Sequence, residues 1–190
     1  MVMDVSDLAS KHAAGLSYEA YLATGTAQQR EDWTRIYEQA ELNADQHALL
    51  SAFTRQINVI GLSGIWCGDC VQQCPLIQRI AEASDRIDLR WLDRDEHMDL
   101  QKQVTINAGH RVPVLLFLAE DHELVGWFGD RTLSRYRALA AKQLAGACPL
   151  PGAPVDRDEL HATLQDWVDQ FERVHLLLRL SGRLRKKHGD

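Results

Sequence analysis

Apolar positions follow a helical period at the start of the chain, a strand-like period in its middle and a helical period again at its end. Trp33, Ile36, Tyr37 and Ala40 fall at helical spacing, as do His47, Leu50 and Phe53. Apolar residues recurring every three or four positions mark one face of a helix. Each run follows a capping-box pair, Thr26 with Gln29 and Asn43 with Gln46, in which side chains satisfy the exposed amides of a helix start. An earlier helical segment lies around residues 18–22, set off by Gly25. Residues 1–55 are therefore predicted to form a helical extension.

The texture then changes. Residues 57–62 are short, apolar and β-branched, which predicts a buried strand. Residues 68–83 predict a helix kinked near Pro75. Ile87, Leu89 and Trp91 alternate with Asp88 and Arg90, the period of a strand. A short helix is predicted over 96–105 and a second buried strand over 112–118. Residues 124–128 pair with that strand across the turn at Glu120, Asp121 and His122, and a helix is predicted over 132–145. Strands alternating with helices imply an α/β layer architecture that closes on an antiparallel hairpin. Cys148 to Pro154, with three prolines and a glycine, reads as a helix-breaking linker. Beyond it Leu160, Leu164, Trp167, Phe171, Val174 and Leu178 form one face of a long helix. The predicted division is thus an extension (1–55), an α/β domain (56–147), and a linker with a C-terminal helix (148–190). The apolar stripe of that helix is expected to pack on Trp33, Tyr37 and Phe53 of the same chain. Its basic end, Arg183 to His188, reads as a solvated terminus with cations at the negative pole of the helix dipole.

Composition narrows the function. With 45% apolar residues and five tryptophans in 190 residues, the chain can build a real core. A net charge of -6 without a dense basic patch argues against nucleic acid. No run approaches the roughly 18 to 20 apolar residues that span a bilayer, so no membrane partner is expected. The first residues lack the basic-then-apolar pattern of a secretory leader. Four cysteines do not make a disulfide-stapled scaffold, and a reducing, cytoplasmic setting is expected. Three of them, Cys67, Cys70 and Cys74, cluster, which in that setting suggests redox chemistry or metal binding.

The order strand, Trp66-Cys67-Gly68-Asp69-Cys70, helix has a mechanical meaning. It places Cys67 where a helix cap sits, so free amides and the positive end of the dipole are expected to favour a thiolate there. Cys70 lies one turn on, a separation that suits a disulfide. Cys67 can then attack a substrate disulfide and Cys70 can resolve the mixed disulfide. Asp69, within one turn of Cys67, is expected to oppose the thiolate by charge repulsion. Cys74 is about 10.5 Å along the helix from Cys67, too far for a bond without unwinding, and reads as a small buried residue, as does Cys148. Zinc would need ligands beyond the cysteine pair, with Cys74, His97, His110 and Cys148 as candidates, and no second Cys-x-x-Cys occurs.

Over about residues 56–145 the sequence resembles the thioredoxin family. Trp66-Cys67-Gly68-Asp69-Cys70 is similar to that family's Trp-Cys-Gly-Pro-Cys motif, and Pro75 stands where the family has a helix-kinking proline. Arg111-Val112-Pro113 resembles its cis-proline loop, and Gly129 resembles the glycine that closes the hairpin near the site. The resemblance implies a central mixed sheet with flanking helices and disulfide reductase activity without a cofactor. Cys67 and Cys70 would be the catalytic pair, surrounded by Trp66, Gly68, Asp69, Val112, Pro113 and Gly129. Partners would be disulfide-containing proteins or small molecules, with a reductase or small thiol as electron donor. Three departures stand out: Gly61 replaces the family's buried Asp, the basic partner on the next strand is absent from Arg90-Trp91-Leu92-Asp93, and Asp69 replaces a proline. The added helices resemble those of a bacterial thioredoxin-like group with no assigned substrate. A binding or scaffold protein on the same fold, and a metal-binding module through Cys67, Cys70 and Cys74, remain the alternatives.

Overall fold

The computed structural model describes residues 3–144 and 159–190. Cys148 and the proline-rich linker lie outside the described residues. Four helices come first: α1 (Val5–Ala14), α2 (Tyr18–Ala23), α3 (Ala27–Gln39) and α4 (Ala44–Ser51). Both predicted capping boxes form, Thr26 with Gln29 and Asn43 with Gln46. The α/β part follows as β1 (Ile57–Ser63), α5 (Gly68–Glu82), β2 (Ile87–Asp93), α6 (Met98–Gln101), β3 (Val114–Leu118), β4 (Leu124–Gly129) and α7 (Leu133–Leu144). Helix α6 is one turn, shorter than the predicted 96–105 segment. The C-terminal part holds α8 (Glu159–Leu180) and α9 (Gly182–His188). The expected single long helix breaks because the Ser181 side chain caps Leu184 and starts a new one.

The sheet order is β2-β1-β3-β4, with β1 parallel to β2 and antiparallel to β3, and β3 antiparallel to β4. Strands β1 and β3 are buried along their whole length, which explains their unbroken apolar sequences. The outer edge of β2 pairs with the extension at one point, where Leu16 and Trp91 exchange backbone hydrogen bonds of 2.9 Å. This mixed sheet with flanking helices is the architecture that the resemblance implies.

The extension carries much of the aromatic core. Trp91 of β2 stacks on Tyr21 at 6.0 Å and meets the edge of Trp33 at 6.4 Å, and all three are fully buried. The stripe on α8 is covered by its own chain, though mostly not by the expected partners. Trp167 meets Phe128 of β4, and Phe171 meets Phe117 of β3, each edge-to-face at 5.2 Å. Of the expected aromatic partners Phe53 takes part, stacking on His175 at 4.2 Å. Trp33 and Tyr37 pack toward Tyr18 instead. The basic end is not merely solvated: Arg183 pairs with Asp121, and Lys187 and His188 pair with Glu120, so α9 clasps the hairpin turn.

His175 gives this packing a pH dependence. Its Nε2 accepts the Thr54 amide hydrogen at 3.0 Å, which requires an unprotonated nitrogen. Burial, then the charges of Arg179 and Arg55, hold its pKa below the ordinary histidine value. His97 is lowered too, by burial and by Lys11. A histidine whose pKa falls on folding leaves the unfolded chain holding more protons, so stability drops as pH decreases below about 6.5. Thermal melts between pH 7.5 and 5 should show that loss. A His175→Gln variant, which keeps an acceptor, should flatten it; an unchanged slope would exclude His175 as its source.

Candidate active site

The motif sits where β1 hands over to α5. Ser63 ends the strand, Gly64 to Trp66 turn, and Cys67 occupies the N-cap of α5 with extended backbone. The turn is held from outside the α/β part: Trp33 Nε1 of α3 donates to the Ile65 carbonyl at 3.0 Å. Cys67 is half-buried, Cys70 and Cys74 are fully buried, and all three are free thiols. Trp66 is 48% exposed, with the Arg94 guanidinium 4.6 Å above its ring. Gly68 faces open space, so packing does not demand glycine there.

Across from the thiols, the Val112–Pro113 peptide is cis, as the resemblance implies. The Cys67 thiol points at the Val112 carbonyl at 3.8 Å. Gly129 packs directly behind this loop. A Cβ there would lie 2.3 Å from the Pro113 carbonyl oxygen, so no larger residue fits without moving backbone. The structure therefore brings Trp66, Cys67, Cys70, Val112, Pro113 and Gly129 together.

Asp69 does not act as the free anion expected from its place in the motif. Arg131 grips its carboxylate with two hydrogen bonds of 2.9 and 2.6 Å, and the buried Arg135 adds a third at 3.1 Å. Paired charge–charge contacts of this forked kind are strong and directional. Arg135 continues to Glu159 at the start of α8, at 3.0 Å. Beside this chain Asp130 is almost fully buried and accepts from Tyr136 at 2.5 Å and Arg111 at 3.0 Å. Burial works to raise its pKa, but these hydrogen bonds and its backbone amides outweigh burial and hold it below the usual carboxylate range. Arg131, Arg135, Asp130 and Gln73 escaped the sequence reading. No local spacing links them to the motif; the Asp-Arg-x-x-x-Arg run after Gly129 is the one signal available.

Both thiols of the pair are pushed above the ordinary cysteine value. The hydrogen bond with Cys70 and then burial push Cys67 up, against the pull of the Cys70 and Asp69 amides at the helix mouth. Burial pushes Cys70 up as well. The expected depression of Cys67 by the helix start is thus overridden by its neighbour and by the loss of water. Gly61 has its own explanation. The Trp91 ring lies over it, and a Cβ would sit 2.5 Å from that ring, so Trp91 fills the space an acid would need. Among the described residues no group of three or more His, Cys, Asp or Glu side chains is placed to hold a metal ion. No helix among them is long and apolar enough to cross a membrane.

A mixed four-stranded sheet, with a cysteine pair opening the helix after a central strand and an X–cis-Pro loop facing it, defines the thioredoxin-like class of folds. A family model described as thioredoxin matches residues 15–141, and the chain belongs to the thioredoxin family. The match takes in α2 to α4 and so extends well ahead of residue 56. A protein of unknown function from Pseudomonas aeruginosa is similar in structure, with a TM-score of 0.68 and 20% identity over 87% of this chain and 96% of that one. An HIV epitope scaffold gives 0.63 and 16% over 87% and 95%. No curated protein matches the sequence.

Neutralising Asp69 should unmask two guanidinium groups beside the thiols. An Asp69→Asn variant is expected to lower the Cys67 pKa, read by thiolate absorbance. It should also cost about 2 kcal/mol of stability, because buried Arg135 loses a charged partner. A Cys67 pKa that stays fixed or rises would show that the clamp is electrostatically silent.

Proposed function

We propose that this chain is a thiol–disulfide oxidoreductase that reduces disulfides with the Cys67/Cys70 dithiol. One observation carries the reading: the outer thiol is half-buried at a helix N-cap and aimed at the carbonyl before a cis-proline, while its partner is fully buried behind it. Of the pair, Cys67 is the thiol that can meet a substrate from solution. Its thiolate attacks one sulfur of a substrate disulfide, forming a mixed disulfide and releasing one substrate thiol. Cys70 then attacks the Cys67 sulfur, the mixed disulfide breaks, and the second thiol leaves with the proton that Cys70 gives up. A small thiol or a reductase returns two electrons and two protons to the Cys67–Cys70 disulfide. The backbone around Val112 and Pro113 offers polar groups to an extended substrate segment, and Trp66 offers it an apolar face. A reducing, cytoplasmic compartment suits this direction of flow.

Because Cys67 is held up by Cys70 and by burial, its attack should accelerate as pH rises from 6 to 8. Reduction of insulin by dithiothreitol should be catalysed by the wild type and lost in Cys67→Ser. Cys70→Ser should retain the first attack and accumulate mixed disulfides through Cys67. Trapping through Cys70 instead would reverse the assignment. Absence of any catalysis by the wild type toward protein or small disulfides would leave the scaffold reading in its place.

A further inference from the structure

An arc of arginine side chains borders the Cys67 loop. The Arg94 guanidinium lies 4.6 Å above the ring of Trp66, the residue before Cys67. Its Nη1 donates to the His110 carbonyl at 2.8 Å, so its head reaches the loop that carries Arg111, Val112 and Pro113. Arg111 directly precedes Val112, whose carbonyl the Cys67 thiol faces. Arg111 donates to Asp130 at 3.0 Å, and Arg131, the next residue on from Asp130, grips Asp69 of the motif. The arc therefore starts at Trp66, passes through the cis-proline loop and ends at Asp69. Cations and acids balance in number here, so what a substrate meets is set by depth and by free donors. Asp130 is 4% exposed and Arg111 38%. Asp69 is covered by Arg131 and by Arg135, which also pairs with Glu159. Of the acids paired with the arc, Asp95 beside Arg94 is the exposed one, at 57%. Among the described residues Arg111 commits one of its five N–H donors, to Asp130, and keeps the others.

We infer that this arc selects disulfides carried on acidic polypeptide segments, with Arg111 as the specificity-determining residue. The inference rests on the Cys67/Cys70 exchange just described. A segment whose cysteine meets Cys67 brings its flanking residues to the arginines that border the motif. A carboxylate there takes the N–H groups of Arg111 that Asp130 leaves, and such charge-assisted, forked contacts are strong and directional. A polypeptide suits the arc because its guanidinium groups reach both ends of the motif, Trp66 and Asp69, and a segment with acids on both sides of its cysteine answers that spread. Lysine or arginine in the same places would face like charge. The whole chain carries a net charge of -6, so its distant charges work against an acidic partner. The preference must come from the groups beside the thiol.

Two peptides, alike except for aspartate or lysine on both sides of a single cysteine, test this on the full reduced chain. Each is activated as a mixed disulfide with thiopyridine. Cys67 forms a disulfide with the peptide sulfur and thiopyridone leaves, which absorbance follows. At about 0.1 M ionic strength, charges more than about 10 Å away are screened. There the acidic peptide should react roughly tenfold faster than the basic one, and the preference should shrink toward unity at about 1 M salt. Arg111→Gln should cut the preference by about threefold, and Arg111→Lys should keep most of it. Both peptides meet the same thiolate, so a change in Cys67 acidity or in packing moves both rates and leaves their ratio. If Arg111→Gln does not fold without its bond to Asp130, Arg94→Gln takes its place, with a cut of the same direction. Equal rates in the wild type, a preference for the basic peptide, or a preference that survives in each glutamine variant that folds overturns the proposal and leaves the oxidoreductase reading standing. No thiopyridone release from either peptide overturns both.

Discussion

One buried amide ties the site to the fold. Gln73 sits on α5 one turn beyond Asp69, wholly out of water, and its side chain meets three elements. Its Nε2 donates to the Asp69 carbonyl within the helix and to the Asp130 carbonyl at the end of β4, and its Oε1 accepts from the Trp167 indole of α8. A buried amide without partners costs several kcal/mol, so the three can be assembled only together. The cysteine-bearing helix, the loop behind Pro113 and the C-terminal helix are therefore positioned as a unit. The edge-to-face contact of Trp167 with Phe128 adds an apolar side to the same junction.

Charge reinforces that unit from the surface. Asp69, Arg131, Arg135 and Glu159 run from the motif to α7 and on to the first turn of α8. Asp166 of α8 in turn accepts the Ser134 amide at 2.7 Å and satisfies the exposed start of α7. In a motif where the family places a rigid proline, an acidic residue gains rigidity through three hydrogen bonds instead of through its ring. Its charge is spent on guanidinium groups and not on the neighbouring thiol. The thiols are then governed by each other and by burial.

The N-terminal helices are part of the same construction. Trp33 holds the Ile65 carbonyl, Gly25 comes so close to Ile65 that a Cβ would lie 2.8 Å from its Cγ1, and Leu16 pairs with the edge of β2. Tyr37 bonds Glu82 at the far end of α5 at 2.7 Å, so α3 braces that helix at both ends. The match of the family model from residue 15 agrees with this integration.

Interactions within a few residues were legible in the chain itself. The capping boxes, the buried character of β1 and β3 and the helix that Cys67 opens rest on spacing or on a residue's own backbone chemistry, while the Val112–Pro113 and Gly129 markers rest on the family resemblance. What joins them across 30 to 120 residues did not show, because the partners of a buried polar group leave no periodic trace in sequence. Only the tertiary structure put Arg131 on Asp69, Gln73 between Asp130 and Trp167, and Trp91 over Gly61. It also broke the last helix at Ser181, just beyond the apolar stripe that ends at Leu178, where a hydroxyl cap starts a new helix. Local period sets where elements form; which buried donors find which acceptors is settled when the elements close on one another and water is lost.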